Sequence, residues 1–208
     1  YIDVSVSGIA AGDVLFMVWA QDSASTVFDY YYDGFTRQYT TNADVSISNG
    51  SNLTCGIHRL TTNKASTAGA FVRFNGVIAD SKAAAFYKVT GLAATTPFDK
   101  SATGIGTSTT PSSGQTPTLT QADELLVGGI GTEGPGDDPA GTWEAGANQT
   151  TDNGQRDGTT GGGAASNITV ASATKIVSAT TGGIASKTGI DSRDWAAAIA
   201  TYKAAGGV

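Results

Sequence analysis

Ala11-Gly12-Asp13-Val14-Leu15-Phe16-Met17-Val18-Trp19 opens the chain, and a related phrase, Ala122-Asp123-Glu124-Leu125-Leu126-Val127-Gly128-Gly129-Ile130, follows just past its middle. Each is a small, acidic turn that runs at once into apolar residues over the length of a strand. The flanks are rich in Gly, Ser and Thr, which suit turns and short strands rather than helices. The pair predicts an all-β, two-part sandwich in which each half launches a central strand from an acidic turn. Residues 14 to 19 are apolar at successive positions and so on both faces. That is the pattern of a strand covered on both sides or facing a partner chain.

Reading outward, Ile2, Val4 and Val6 alternate with polar residues and predict a half-buried strand at an edge. Tyr30-Tyr31-Tyr32 ends at the turn pair Asp33-Gly34, and Phe35, Arg37 and Tyr39 suggest a further strand. Asn49-Gly50-Ser51-Asn52 is a hairpin-type turn before the alternating stretch Leu53 to Leu60. Ala70, Val72 and Phe74 predict a strand closed by Asn75-Gly76. Residues 83 to 89 read as a strand despite their alanines. Residues 101 to 118 read as a long polar connection, or at best an extended edge strand. They separate an N-terminal half, 1–100, from a C-terminal half, 119–208, of one domain spanning 1–208. In that second half, 133 to 141 is a Gly/Pro/Asp loop and 148 to 163 an exposed polar loop. Ile168, Val170, Ala173 and Ile176 carry the next strand or pair of strands. Trp195 to Tyr202 alternates in a way that favours a strand over a short helix capped by Asp191 or Ser192.

Composition narrows the function classes. The 208 residues are 39% hydrophobic and 14% charged, with 28 Gly and a net charge of −6. The 12 Lys and Arg are scattered singly, so no basic cluster is available to neutralise phosphates. Nucleic-acid binding and attraction to an anionic membrane are therefore disfavoured. No apolar run has the length of a transmembrane helix. Cys55 is the single cysteine, which excludes an intrachain disulfide. Flanked by Leu53 and Ile57, it reads as a buried small hydrophobe.

The order of residues resembles a known family. It runs from Ala11-Gly12-Asp13-Val14-Leu15 through Ala85-Phe86-Tyr87-Lys88-Val89-Thr90-Gly91 and Pro97-Phe98-Asp99. After a Gly/Ser/Thr spacer it continues with Thr120-Gln121-Ala122-Asp123-Glu124-Leu125-Leu126-Val127 and ends on Trp195-Ala196-Ala197-Ala198-Ile199-Ala200. This resembles the concanavalin A-like jelly-roll domains common in tailed-phage virion proteins, over nearly the whole chain. The resemblance implies a jelly-roll β-sandwich of two antiparallel sheets with long polar loops. It implies a non-enzymatic capsid decoration, fibre or appendage subunit on the virion surface, with itself and other virion proteins, such as a capsid protein, as partners. Family members also include carbohydrate-binding modules, so an adhesin that meets cell-surface glycans is the alternative. A subunit of an extracellular filament or surface layer is a third. Fold alone does not choose among these.

The chemistry-bearing residues are few. Three Glu are present, Glu124, Glu133 and Glu144, and none has the spacing of paired glycosidase carboxylates. His58 is the sole histidine, with no nucleophile elbow to serve. A zinc site lacks ligands. No cofactor is expected, with calcium the one metal worth carrying. Glu133, Asp137 and Asp138 place three carboxylates in a Gly-rich loop, and hard oxygen donors suit Ca²⁺. A solvated acidic loop is the plainer reading, since EF-hand spacing is missing. Asp152, Asp157 and the stretch from Asn148 to Asn153 could form a second site. Tyr30, Tyr31, Tyr32 and Trp143 are candidate interface or glycan contacts. Three successive tyrosines cannot all face the core, and Trp143 stands in a loop context.

Overall fold

The two apolar runs become the centres of two sheets that face each other. The computed structural model describes residues 2–22, 29–33, 38–40, 43–50, 53–62, 65, 71–75, 81–161 and 163–206, and for 3, 29–33, 38–40 and 71–75 the backbone alone. The first half contains β1 (Ile2–Ser5), β2 (Val14–Gln21), β3 (Asp29–Asp33), β4 (Gln38–Thr40), β5 (Val45–Asn49), β6 (Leu53–Thr61), β7 (Phe71–Asn75) and β8 (Lys82–Val89). The second contains β9 (Phe98–Ser108), β10 (Ser112–Gln115), β11 (Asp123–Glu133), β12 (Thr142–Trp143), β13 (Asp152–Gly158), β14 (Ile168–Ser178), β15 (Ile184–Thr188) and β16 (Arg193–Lys203). A single 3₁₀ turn, Ala164–Ser166, interrupts the strands among the described residues.

All strand ladders among the described residues are antiparallel. The chain is an all-β sandwich. A four-stranded sheet in the order β5-β6-β2-β8 lies against a five-stranded sheet in the order β13-β14-β11-β16-β9. Strand follows strand across the interface: β5 and β6 lie over β9, β16 and β11, β2 over β11 and β14, and β8 over β14 and β13. This is the aligned arrangement of two stacked sheets. Two smaller sheets, β1-β7-β3-β4 and β10-β15-β12, add to the two that the sequence predicts.

β2 explains why its run is apolar throughout. All eight of its residues are buried. Val14, Phe16, Val18 and Ala20 point into the main core, where Phe16 meets Tyr202 edge-on at 4.6 Å. Leu15, Met17 and Trp19 point the other way, into a second core with Ile9, Leu60 and Ala84, and Ile2, Val4 and Val6 pack on it from the chain start. Each fully buried side chain of this size contributes about 2 kcal/mol. β16 repeats the arrangement. Ala196, Ala198, Ala200 and Tyr202 face the four-stranded sheet, while Trp195, Ala197 and Ile199 face the small sheet around β15.

The sheets meet closely because the facing residues are small. A Cβ on Gly129 would collide with Val18, and one on Gly131 would come within 2.8 Å of the Ala20 methyl. The double-glycine step in Leu126-Val127-Gly128-Gly129 is thus a packing requirement. Polar ties cross the same interface. Tyr202 donates to Asp44 at 2.9 Å, and Asp44 also accepts from Arg59 at 3.0 Å. The Asn49 amide donates to the carbonyls of Gly106 and Trp195 at 3.0 and 3.1 Å.

Most predicted strands are present. β1 is at a sheet edge, β2 lies between β6 and β8, and 193–203 is a strand. Two regions differ. The polar stretch 101–118 is mostly strand: β9 pairs with β16 at the edge of the five-stranded sheet, and β10 pairs with β15. The polar stretch 148–163 holds β13, the opposite edge, whose residues 152 to 157 are exposed. Strands that bury so little side chain carry little apolar patterning. Tyr30 to Tyr32 lie on β3, paired with β4 and β7. Their side chains fall outside the described residues, as do Gly34, Phe35, Arg37, Ser51, Asn52, Ala70 and Gly76 of the predicted turns and strands.

Candidate functional site

Two tryptophans organise the central strands, and a third borders a cavity. Trp19 on β2 stands opposite Gly56 on β6. Its indole lies across the space a side chain at 56 would fill, within 2.7 Å of an added Cβ. It donates to His58 Nδ1 at 3.0 Å, two residues further along β6. That bond makes Nδ1 an acceptor, so the imidazole is neutral. Burial pushes the His58 pKa down to about 3, and the ring has no exposure to solvent. Trp195 on β16 does the same over Gly106 on β9, donating to Ser108 Oγ at 3.0 Å. His58 is therefore a core acceptor.

The cavity sits on the outer face of the five-stranded sheet. Its floor is Ile130 and Thr132 of β11 with Thr169 and Ala171 of β14. Its walls are the 138–140 loop, Ile190 and Asp191, and three cationic side chains: Arg156 from β13, Lys187 from β15 and Arg193 from β16. The cleft is partly open, and the space that water can occupy in it is about 20 Å³, room for about one water molecule.

The acidic loop predicted to hold calcium reaches this cavity and is held by a protein cation. Asp138 pairs with Arg193 at 3.0 Å, and Asp191 approaches the same guanidinium at 3.8 Å. Arg156 donates to the carbonyl of Asp138 at 2.8 Å and also to that of Gly136. Glu133 is half-buried at the end of β11, its pKa raised first by burial and then by Asp194 and Asp22. Asp137 is exposed. No three His, Cys, Asp or Glu side chains converge on a point that could hold a metal among the described residues. Glu133, Asp137 and Asp138 are thus not one donor set, because Arg193 occupies the position a cation would take beside Asp138. Nor do Asp152 and Asp157 converge: Asp152 pairs with Lys175, and Asp157 accepts from the Ala84 backbone at 3.2 Å.

Trp143 is half-buried rather than a free loop aromatic. It forms β12 with Thr142 and packs against the clusters of Leu126 and Ile199 and of Ile130 and Trp195. Its register partner on β15 is Lys187, whose ammonium lies 5.1 Å from the centre of the indole. One face of the ring is therefore taken. Lys187 is 5% exposed. Burial, and then the charge of Arg156, push its pKa down to about 8.

At the far end of β11, Glu124 is 1% exposed beside Asp99. Burial is the main cause that raises its pKa to about 7, and Asp99 adds to it. Asp99 accepts from the backbone and hydroxyl of Thr120 at 2.8 and 2.7 Å, and its pKa is lowered overall. The sequence marks Glu124 only as part of a turn. Lys187 and Arg156 leave no trace in the sequence at all, because only the pairing of β12 with β15 brings Lys187 under Trp143. Comparison with protein-family models, with curated proteins and with solved structures finds no match.

Proposed function

We propose that this chain is a non-enzymatic structural subunit that acts by protein–protein assembly, as a capsid decoration, fibre or appendage subunit on the surface of a tailed-phage virion. One observation carries the reading: the polar side chains fasten the layers to one another. Asp44 joins Arg59 to Tyr202, Asn49 reaches Gly106 and Trp195, Arg193 holds the 134–138 loop, and Tyr87 bonds Ser172 at 2.7 Å. The result is a stiff stack of sheets, suited to a role played by shape. The resemblance of its strand-opening phrases to virion jelly-roll domains supplies the setting. Subunits would meet through the long outer edges β9 and β13 and through the β1–β7–β3–β4 sheet that carries Tyr30 to Tyr32. Gold-labelled antibody to this chain, applied to particles from a producing culture, should decorate phage heads or tails in a regular pattern. Label on cells or filaments with bare phage would overturn the proposal.

A glycan-binding reading has one observation in its favour. A groove of about 560 Å³ between β8 and the β13–β14 edge brings Phe86, Tyr87, Asp152, Asn153, Gln155 and Ile176 together. Ile176 is 75% exposed. Apolar surface rimmed by amides suits a sugar ring. Retention on a glycan array that is lost in Ile176→Asp would favour this reading, and a blank array would remove it.

A further inference from the structure

The dipeptide Asn-Gly occurs three times, at Asn49-Gly50, Asn75-Gly76 and Asn153-Gly154. Gly76 lies outside the described residues, and the other two pairs stand in contrasting settings. Asn49 is half-buried, and its amide donates to the carbonyls of Gly106 and Trp195. Gly50 follows it at φ +60°, where the turn needs glycine. Asn153 is exposed, at φ +52°, in the left-handed region that asparagine enters more often than most residues. Its amide donates one hydrogen bond among the described residues, to Thr174 Oγ1 at 3.0 Å. The strand register explains this setting. Asp152 pairs with Thr174 and Gln155 with Ser172, so Asn153 and Gly154 together oppose Ala173 in a bulge. Neither conformation nor packing calls for glycine at 154. Its φ lies outside the left-handed region, and an added Cβ would meet nothing closer than Trp143 Nε1 at 3.7 Å, an ordinary contact.

We propose that Asn153 is a site of self-modification, which loses its side-chain amide through a cyclic imide closed by the backbone nitrogen of Gly154. Glycine supplies there an unhindered nucleophile. The Gly154 N–H gives its proton to hydroxide from solvent, and the nitrogen bonds to Asn153 Cγ. The Cγ–Nδ2 bond breaks, and ammonia leaves after taking up a proton from water. A second water then opens the imide. Cleavage at Cγ leaves aspartate, and cleavage at the main-chain carbonyl carbon leaves isoaspartate. Water is the one co-reactant. Ring closure requires Cγ and the Gly154 nitrogen to meet. At Asn153 this breaks the bond to Thr174, in a bulge where the ladder is already interrupted. At Asn49 two bonds across the sheets must break first. Either product places a second carboxylate next to Asp152 and removes the donor to Thr174. Isoaspartate also lengthens the main chain by one carbon ahead of Gln155 and Asp157. Those two side chains hold β13 to β8, through the Phe86 carbonyl at 3.1 Å and the Ala84 amide at 3.2 Å. Conversion therefore loosens the outer edge of the five-stranded sheet from β8. This chemistry does not depend on the assembly reading above and stands on its own.

The test uses the full chain, held folded in warm, mildly alkaline buffer made with H₂¹⁸O, beside a sample unfolded in guanidinium chloride. Peptide mass spectrometry follows residues 49 and 153. In the unfolded chain both should convert at similar rates. In the folded chain Asn153 should convert with uptake of ¹⁸O while Asn49 keeps its amide. Gly154→Ala, which the fold accommodates, should slow conversion at 153 by about tenfold. The same variant should leave the denaturant midpoint of fresh protein unchanged. Amide hydrogen exchange over residues 155–158 should quicken in aged wild type and not in aged Gly154→Ala. Survival of the Asn153 amide in the folded chain for as long as that of Asn49 would overturn the proposal. So would equal rates in wild type and Gly154→Ala. Unchanged exchange after conversion would overturn the loosening of β13.

Discussion

Trp19 and Trp195 are the same device built twice, in opposite halves of the chain. Each sits on a central strand, lies over a glycine on the neighbouring strand, and donates to a side chain two residues beyond that glycine. The settings differ. Trp19 has no exposure and its acceptor is the fully buried His58, whereas Trp195 is 8% exposed and its acceptor, Ser108, lies at the sheet edge. The difference shows how one backbone geometry acquires or avoids pH sensitivity. A titratable acceptor in a sealed core ties stability to protons, and a hydroxyl at the rim does not.

Truncation should separate the two most strongly. Trp19→Ala opens a large hole in a closed core and should cost about 4 kcal/mol, enough to move a urea midpoint far down. Trp195→Ala, at the rim, should cost about 2 kcal/mol in the same measurement. Equal losses would mean that the two cores are equally closed.

Acid comes next. The His58 pKa is lowered from 6.5 to about 3. Its contribution to stability is therefore complete above pH 6.5 and is lost as pH falls toward 3, on the order of 4 kcal/mol in the limit. Glu124 works in the opposite sense. Its raised pKa makes the fold lose stability as pH climbs from 4.5 to about 7. Between 4.5 and 6.5 the two oppose each other, so the wild-type profile alone cannot separate them. Against wild type, His58→Gln should flatten the acid side of a Tm–pH profile. Glu124→Gln should instead raise Tm above pH 7, by an amount corresponding to about 2 kcal/mol. Ser108→Ala should leave the shape of the profile unchanged.

The glycines give a smaller contrast. Gly56→Ala places a methyl within 2.7 Å of a ring that has nowhere to go, and should cost about 2 kcal/mol. Gly106→Ala meets a similar clash against a ring that keeps some exposure at a sheet edge, and should cost about 1 kcal/mol in equilibrium unfolding. Last comes loss of the indole N–H together with the ring edge that carries it. Trp19→Phe strands a buried nitrogen, for about 1 kcal/mol. Trp195→Phe leaves a hydroxyl that water can serve, and its midpoint should barely move.

These pairs also show what could be read from the residues. The runs at 14–19, 125–130 and 195–202 announce themselves because their strands are covered on both faces, which demands apolar residues at successive positions. β9, β13 and β15 do not. Ser101-Ala102-Thr103-Gly104-Ile105-Gly106 lies at a sheet edge and alternates small with smaller, since Gly104 must admit the Ser112 carbonyl and Gly106 the Trp195 ring. Asp152 to Asp157 is polar at every position because water faces it. At the cavity, Asp138 and Trp143 drew notice through residue type, but their partners did not. Arg193 and Lys187 act by charge across a distance in sequence of dozens of residues, and no local pattern encodes that.

The division of the two main sheets along the chain has a consequence for how the molecule is made. Residues 14–89 supply every strand of the four-stranded sheet, and residues 98–203 supply every strand of the five-stranded one. During synthesis the first sheet can close its ladders before its cover has been translated. Phe16, Val18, Leu53 and Ile57 would then present a finished apolar face to water until the last strand arrives. A nascent chain in that state is sticky by construction. Its partner of first resort is the equivalent face of a neighbouring nascent copy, so the yield of folded protein should depend on how densely ribosomes are spaced on the message.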